Sequence, residues 1–151
     1  MEVSKIKIAF FDVDGTLLKL GTKELSDKTK KALTKLRQNN VLLCMALNRD
    51  FNIRRLERYL SIAWDSGAVP VIILTKVDLC DDLEAKRFEI EKVAVGVPVM
   101  ETSGLTGDGL QQIKPYLQET KTVAFIGSSG VGKSTLINRL LGEECLKTNT
   151  L

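Results

Sequence analysis

Short apolar runs alternate with stretches of helical period along the whole chain. The apolar runs cover residues 6–11, 41–47, 69–74, 97–100 and 122–126, each bounded by Asp, Asn, Thr or Gly. Unbroken apolarity over a strand's length marks strands covered on both faces. The helical stretches cover residues 26–39, 53–66, 82–95, 110–119 and 133–141. Ser26 and Asp82 are of the N-capping type, and Gly67, Gly96 and Gly142 supply stops. Within residues 53–66, Ile53, Leu56, Tyr59, Leu60 and Ala63 share one face and leave Arg54, Arg55 and Arg58 outside. Trp64 and Phe51 read as core or helix-staple residues. Strict alternation predicts an α/β fold, a doubly wound parallel five-stranded sheet in three αβα layers, forming one domain over residues 1–151. Ligands of such folds sit beyond the carboxyl ends of the strands.

Composition narrows the chemistry. With 44% apolar and 27% charged residues, the 151-residue chain has the balance of a soluble globular domain. The net charge of +3, with 22 basic residues scattered along the chain, does not argue for nucleic acid. No apolar run reaches membrane-spanning length, and no leader is expected. Cys44, Cys80 and Cys145 have no metal-binding spacing, and their odd number suits a reducing, cytoplasmic setting. There is no histidine. Serine–histidine and cysteine–histidine pairs and imidazole metal sites are thereby excluded, leaving carboxylates, lysine, backbone N–H groups and a bound cation.

The unusual residues stand at the predicted strand ends. Gly127-Ser128-Ser129-Gly130-Val131-Gly132-Lys133-Ser134, followed by Thr135, satisfies GxxxxGK[ST] between a strand and a helix. Its glycines let successive N–H groups turn toward phosphate oxygens, and the helix N-terminus adds partial positive charge. Lys133 would reach the outer phosphates and Ser134 would ligate Mg²⁺. A glycine-rich turn before a helix is the plainer reading. "ILTKVDL", residues 73–79, satisfies the base-reading [NT]KxD box of GTPases, with Thr75, Lys76 and Asp78. Asp78 could accept from the N1 and N2 edge of guanine, while Lys76 lays its stem along the base. "TSG", residues 102–104, resembles the [ST]SA box, whose backbone N–H meets guanine O6; here the residues would be Ser103 and Gly104.

Lys76 and Asp78 precede the phosphate loop, the reverse of the usual order, as in circularly permuted GTPases. The segments "ALNRDFNIRRLERYLSIAWDSGAVPVIILTKVDLCDDLE", "TSGLTGDGL" and "KTVAFIGSSGVGKSTLINRLLGEE" resemble the RsgA (YjeQ) family of ribosome-dependent GTPases over about residues 46–151. The resemblance implies GTP and GDP as ligands, Mg²⁺ as cofactor, and the small ribosomal subunit as a partner that stimulates slow hydrolysis. The family's leading OB-fold, first-switch threonine, DxxG strand and zinc-binding domain have no counterpart in this sequence. That predicts a truncated domain with weak or no hydrolysis.

Residues 5–45, with "KIAFFDVDGTLL" and "LSDKTKKALTKLRQNNVLLCMA", resemble instead the first βαβ unit of a Cof-type HAD phosphatase. There Asp12 would be the nucleophile and Asp14 the general acid. The Thr or Ser expected after the second strand is replaced by Ala46-Leu47-Asn48, and Asp81-Asp82 read as a helix cap rather than a metal-binding pair. Asp12-Val13-Asp14-Gly15 is also formally DxxG. One site assembled from two ancestries, with Asp12 serving the Mg²⁺ of the phosphate loop, requires the strand order 1-5-2-3-4. The alternatives are a HAD-type phosphatase using Asp12, inert strand-end acids, and an engineered or recombined scaffold with vestigial sites. The arginines of residues 53–66 fit either ribosomal RNA or a solvated face.

Overall fold

The computed structural model describes residues 7–12, 27, 31, 40–117 and 122–142. Of the helix expected over residues 26–39, Asp27 and Lys31 are described, and both are helical. Asp14 and Cys145 lie outside the described residues.

Strands β1 (Lys7–Asp12), β2 (Asn40–Ala46), β3 (Val69–Thr75), β4 (Val99–Glu101) and β5 (Thr122–Gly127) pair in parallel, in the order β1-β5-β2-β3-β4. Helix α1 (Ile53–Asp65) follows β2, α2 (Leu83–Val93) follows β3, and α3 (Lys133–Leu141) follows β5. The parallel α/β architecture expected from the alternation is therefore present.

In β2, β3 and β5 alternate residues are buried on opposite faces of the sheet. Val41, Leu43 and Met45 of β2, Ile72 and Leu74 of β3, and Ala124 and Ile126 of β5 form one core with the apolar stripe of α1. The alternate residues, Leu42, Cys44, Ala46, Val71, Ile73, Val123 and Phe125, form a second core with Leu136 and Ile137 of α3. β2 and β5 thus contribute a buried side chain at nearly every position, each large one stabilising by about 1.5–3 kcal/mol.

The helices begin where caps allow. The Asn52 side chain accepts from Arg55 N at 3.0 Å at the head of α1, and that of Asp82 accepts from Ala85 N at 3.0 Å at the head of α2. Helix α1 buries Leu56, Tyr59, Leu60, Ile62 and Ala63.

Three expectations require correction. The helix over residues 110–119 is instead two 3₁₀ turns, Leu110–Gln112 and Lys114–Tyr116. Pro115 has no N–H to give an α-helical ladder and its ring crowds the preceding turn. The fourth strand begins at Val99 rather than residue 97, because Pro98 cannot donate, although its carbonyl still accepts from Ile72 N at 2.9 Å. Trp64 is 51% exposed on the outer face of α1, so it is neither core nor staple, whereas Phe51 packs against the core.

Candidate functional site

The carboxyl ends of β5, β2, β3 and β4 meet around one loop. β5 delivers Gly127, where a Cβ would lie 2.8 Å from the Cys44 carbonyl oxygen and 2.9 Å from Val131 Cγ1. Only glycine fits against that backbone. The loop then turns through Gly130 (φ 73°) and Gly132 (φ 100°), left-handed conformations that side-chain-bearing residues resist. Helix α3 starts at Lys133, with Leu136 N donating to Gly132 O at 2.9 Å. The result is a ring of backbone ending in a helix N-terminus, with exposed Ser129 and partly buried Ser134 and Thr135 on it.

Lys133 is folded into this ring. Its buried ammonium donates to Gly127 O at 2.8 Å and Ser128 O at 2.7 Å. The charge therefore sits inside the loop rather than in bulk solvent. Ser128 Oγ and the buried Tyr59 hydroxyl share a hydrogen bond of 2.9 Å, tying the loop to α1.

The base box is bonded to the phosphate loop directly. Thr75 Oγ1 donates to Val131 O at 2.6 Å, and Lys76 Nζ donates to Gly130 O at 2.8 Å. Lys76 is the non-glycine residue with positive φ (58°) among the described residues. That backbone costs on the order of 1 kcal/mol, and Val77 N donating to Thr102 O at 3.2 Å helps hold it. Asp78 stands exposed on the 3₁₀ turn Val77–Leu79 just beyond.

The third element closes the same end of the sheet. Thr102 donates to Leu74 O from both its N (2.7 Å) and its Oγ1 (3.1 Å). Ser103 is buried; its N donates to Asp108 O at 3.0 Å and its Oγ accepts from Thr106 N at 3.1 Å. Gly104 lies against α3: a Cβ there would be 3.0 Å from Thr135 Cγ2. Arg139 of α3 donates to Gly104 O at 3.1 Å and to Leu105 O at 2.6 Å. The structure thus brings Thr75, Lys76 and Gly104 against residues 127–135, with Asp78 and Ser103 next to them in the chain.

Against the loop's other side lies a cavity of about 280 Å³, lined by Cys44, Met45, Ala46, Asp50, Arg55, Ser128, Ser129 and Val131. Arg55 is therefore not wholly outside, as its helical position suggested. Burial pushes the Cys44 thiol up to about 12, with the Lys133 ammonium pulling the other way.

Asp12 ends β1, its Cα paired with that of Gly127 in the parallel register. Among the described residues, no group of three or more His, Cys, Asp or Glu side chains could cage a metal. Ser134, in the first turn of α3 beside the loop lysine, is the donor the residues offer it.

The contacts of Thr75, Tyr59 and Arg139 were not foreseen as parts of this site. TKVD and the glycine-rich loop are readable as separate motifs, but nothing in either string states that they are bonded to each other.

The RsgA GTPase family profile matches residues 22–151, so the likeness begins well before residue 46. The small ribosomal subunit biogenesis GTPase RsgA 2 of Lactiplantibacillus plantarum is 61% identical over 113 residues, covering 75% of this chain and 32% of that protein. RsgA 1 of Listeria innocua is 50% identical over 110 residues, covering 73% and 32% respectively. The crystal structure of YjeQ from Thermotoga maritima superposes with a TM-score of 0.64 at 29% identity, covering 76% of this chain and 41% of that one. The chain spans about a third of the length of the curated relatives it matches. Among the described residues, no helix is long and apolar enough to cross a membrane. With its phosphate loop bonded to a base box that comes earlier in the sequence, the chain belongs to the RsgA GTPase family.

Proposed function

We propose that this chain binds GTP and GDP in a Mg²⁺-dependent manner and turns GTP over slowly. The observation that carries the reading is the pair of bonds from Thr75 and Lys76 to the carbonyls of Val131 and Gly130. They set the distance between a phosphate cradle and a base-reading carboxylate, which is what a nucleotide, and not phosphate alone, requires.

Each group then has a task. The N–H groups of the loop and the start of α3 face the phosphates. Lys133 exchanges the two carbonyls it now holds for phosphate oxygens, moving a charge already placed in the loop. Ser134 would hold Mg²⁺, which would neutralise phosphate charge. Asp78 accepts from guanine N1 and N2, and the N–H groups of Gly104 and Leu105 face O6. The β1–β5 register, with Asp12 beside Gly127, supports Asp12 as a second ligand, an acid, for that Mg²⁺. The first βα unit, despite its HAD-like text, then works within the GTPase site.

The relatives are named for biogenesis of the small ribosomal subunit. We extend that partner to this chain, with nucleotide state governing the encounter.

Calorimetric titration with GDP, GTP and ADP, with and without Mg²⁺, tests the reading. GDP should bind at least about a hundredfold more tightly than ADP, a margin of about 2.7 kcal/mol. Equal affinity for GDP and ADP would reduce the site to a generic phosphate loop and defeat the assignment of guanine.

A further inference from the structure

An arginine in the last turn of a helix is ordinarily solvated or turned back on that helix's own carbonyls. Arg139 is exposed, but it does not turn back on α3. It reaches across to the loop after β4, donating through Nε to Gly104 O at 3.1 Å and through Nη2 to Leu105 O at 2.6 Å. A Cβ placed on Gly107 would lie 3.8 Å from its Nη1, so the guanidinium extends over that loop.

The amides of the same loop divide into two groups. Ser103 N donates to Asp108 O, Thr106 N to Ser103 Oγ, and Gly107 N to Ser103 O. Among the described residues, the N–H groups of Gly104 and Leu105 make no hydrogen bond. A planar trans peptide points its C=O and N–H in opposite directions. An arginine that draws the Gly104 carbonyl toward α3 therefore turns the Leu105 N–H away from α3, and the fixed peptide after it limits rotation of the pair. Gly104 permits this approach because a side chain there would press on Thr135.

We propose that Arg139 is a positioning residue for base recognition: by holding the Gly104 carbonyl it sets the Leu105 N–H, next to the Gly104 N–H whose peptide is held through Ser103 O, toward a purine 6-keto oxygen. The inference rests on the guanine reading above and names a determinant of its selectivity. α3 thereby serves both ends of the nucleotide, phosphates at its N-terminus and base through Arg139 in its last turn. A keto oxygen accepts from the two N–H groups, whereas the 6-amino group of adenine presents a donor to them.

The test compares GDP, IDP and ADP on the wild type, R139A and R139K. IDP keeps the 6-keto oxygen but lacks the 2-amino group, so it separates this contact from that of Asp78. For R139A, affinity for GDP and for IDP should fall by the same factor, about five- to tenfold, and affinity for ADP should stay constant. R139K keeps a donor but not the fork, so its loss should be intermediate and again confined to GDP and IDP. Should R139A fail to fold, R139K alone decides. Equal losses for all three nucleotides would make Arg139 a structural clamp and overturn the proposal, as would no loss for any. A wild type that does not prefer GDP to ADP refutes the guanine reading before any variant is compared, and the role of Arg139 with it.

Discussion

Gly127 and Lys133 mark the ends of one physical problem, how to bring a positive charge and bare backbone to the same place. At Gly127 the obstacle to a side chain is a carbonyl oxygen at 2.8 Å, which cannot rotate away as a flexible side chain would. G127A should therefore lower stability by about 1–3 kcal/mol, seen as an earlier urea midpoint with unchanged slope. A wild-type midpoint would mean that β2 and the loop yield more readily than their packing indicates. Lys133 poses a different case, since its ammonium donates to two carbonyls of its own loop. K133A should cost about 1–3 kcal/mol of stability, since it takes that donor from the Gly127 and Ser128 carbonyls, while GDP affinity falls at least about tenfold, the worth of a charge-assisted bond. Retained GDP affinity in K133A would show that the loop does not hold phosphate.

At the scale of elements, the site depends on strand ends and loops bonded crosswise. T75V leaves β3 its shape but removes the donor to Val131 O. A buried carbonyl without its partner costs about 1–3 kcal/mol, so T75V should lower both thermal stability and GDP affinity. If calorimetry finds GDP affinity unchanged, the base box and the phosphate loop are not mechanically joined through this bond. Much of this level was legible beforehand. Runs such as 41–47 show no polar alternation because both faces of β2 are covered, and GxxxxGKS fixes its own strand–loop–helix context. What escaped was long-range or steric. Pro115 broke a helix whose apolar period looked sound. Trp64 lies one step off the buried stripe of α1. Arg139 meets a loop some 35 residues earlier in sequence, a bond no local pattern encodes.

For the whole molecule, the parallel register pairs the end of the edge strand, Asp12, with Gly127 at the start of the glycine-rich loop. D12N should weaken the Mg²⁺ dependence of GTP binding and leave the unfolding temperature of the nucleotide-free protein unchanged. GDP at about a hundred times its dissociation constant should add about 2.7 kcal/mol to the stability of wild type and D12N alike. Persistence of the full Mg²⁺ effect in D12N would detach β1 from the site. The double-sided core has one more consequence, and it concerns alkaline solution rather than ligands. Cys44 lies sealed between the sheet and the phosphate loop, so the folded chain holds its thiol proton up to about 12 against an ordinary value of 9.0. The unfolded chain releases that proton first. Above about pH 9 the unfolded state binds fewer protons than the native one, and stability falls with rising pH until the native thiol ionises as well. Between pH 8 and 10.5 the urea midpoint of the wild type should decline more steeply than that of C44A, which has no proton to give up. Parallel declines would place the alkaline weakness elsewhere. The same closed core that supports a nucleotide cradle thus sets an upper limit on the basicity the fold withstands.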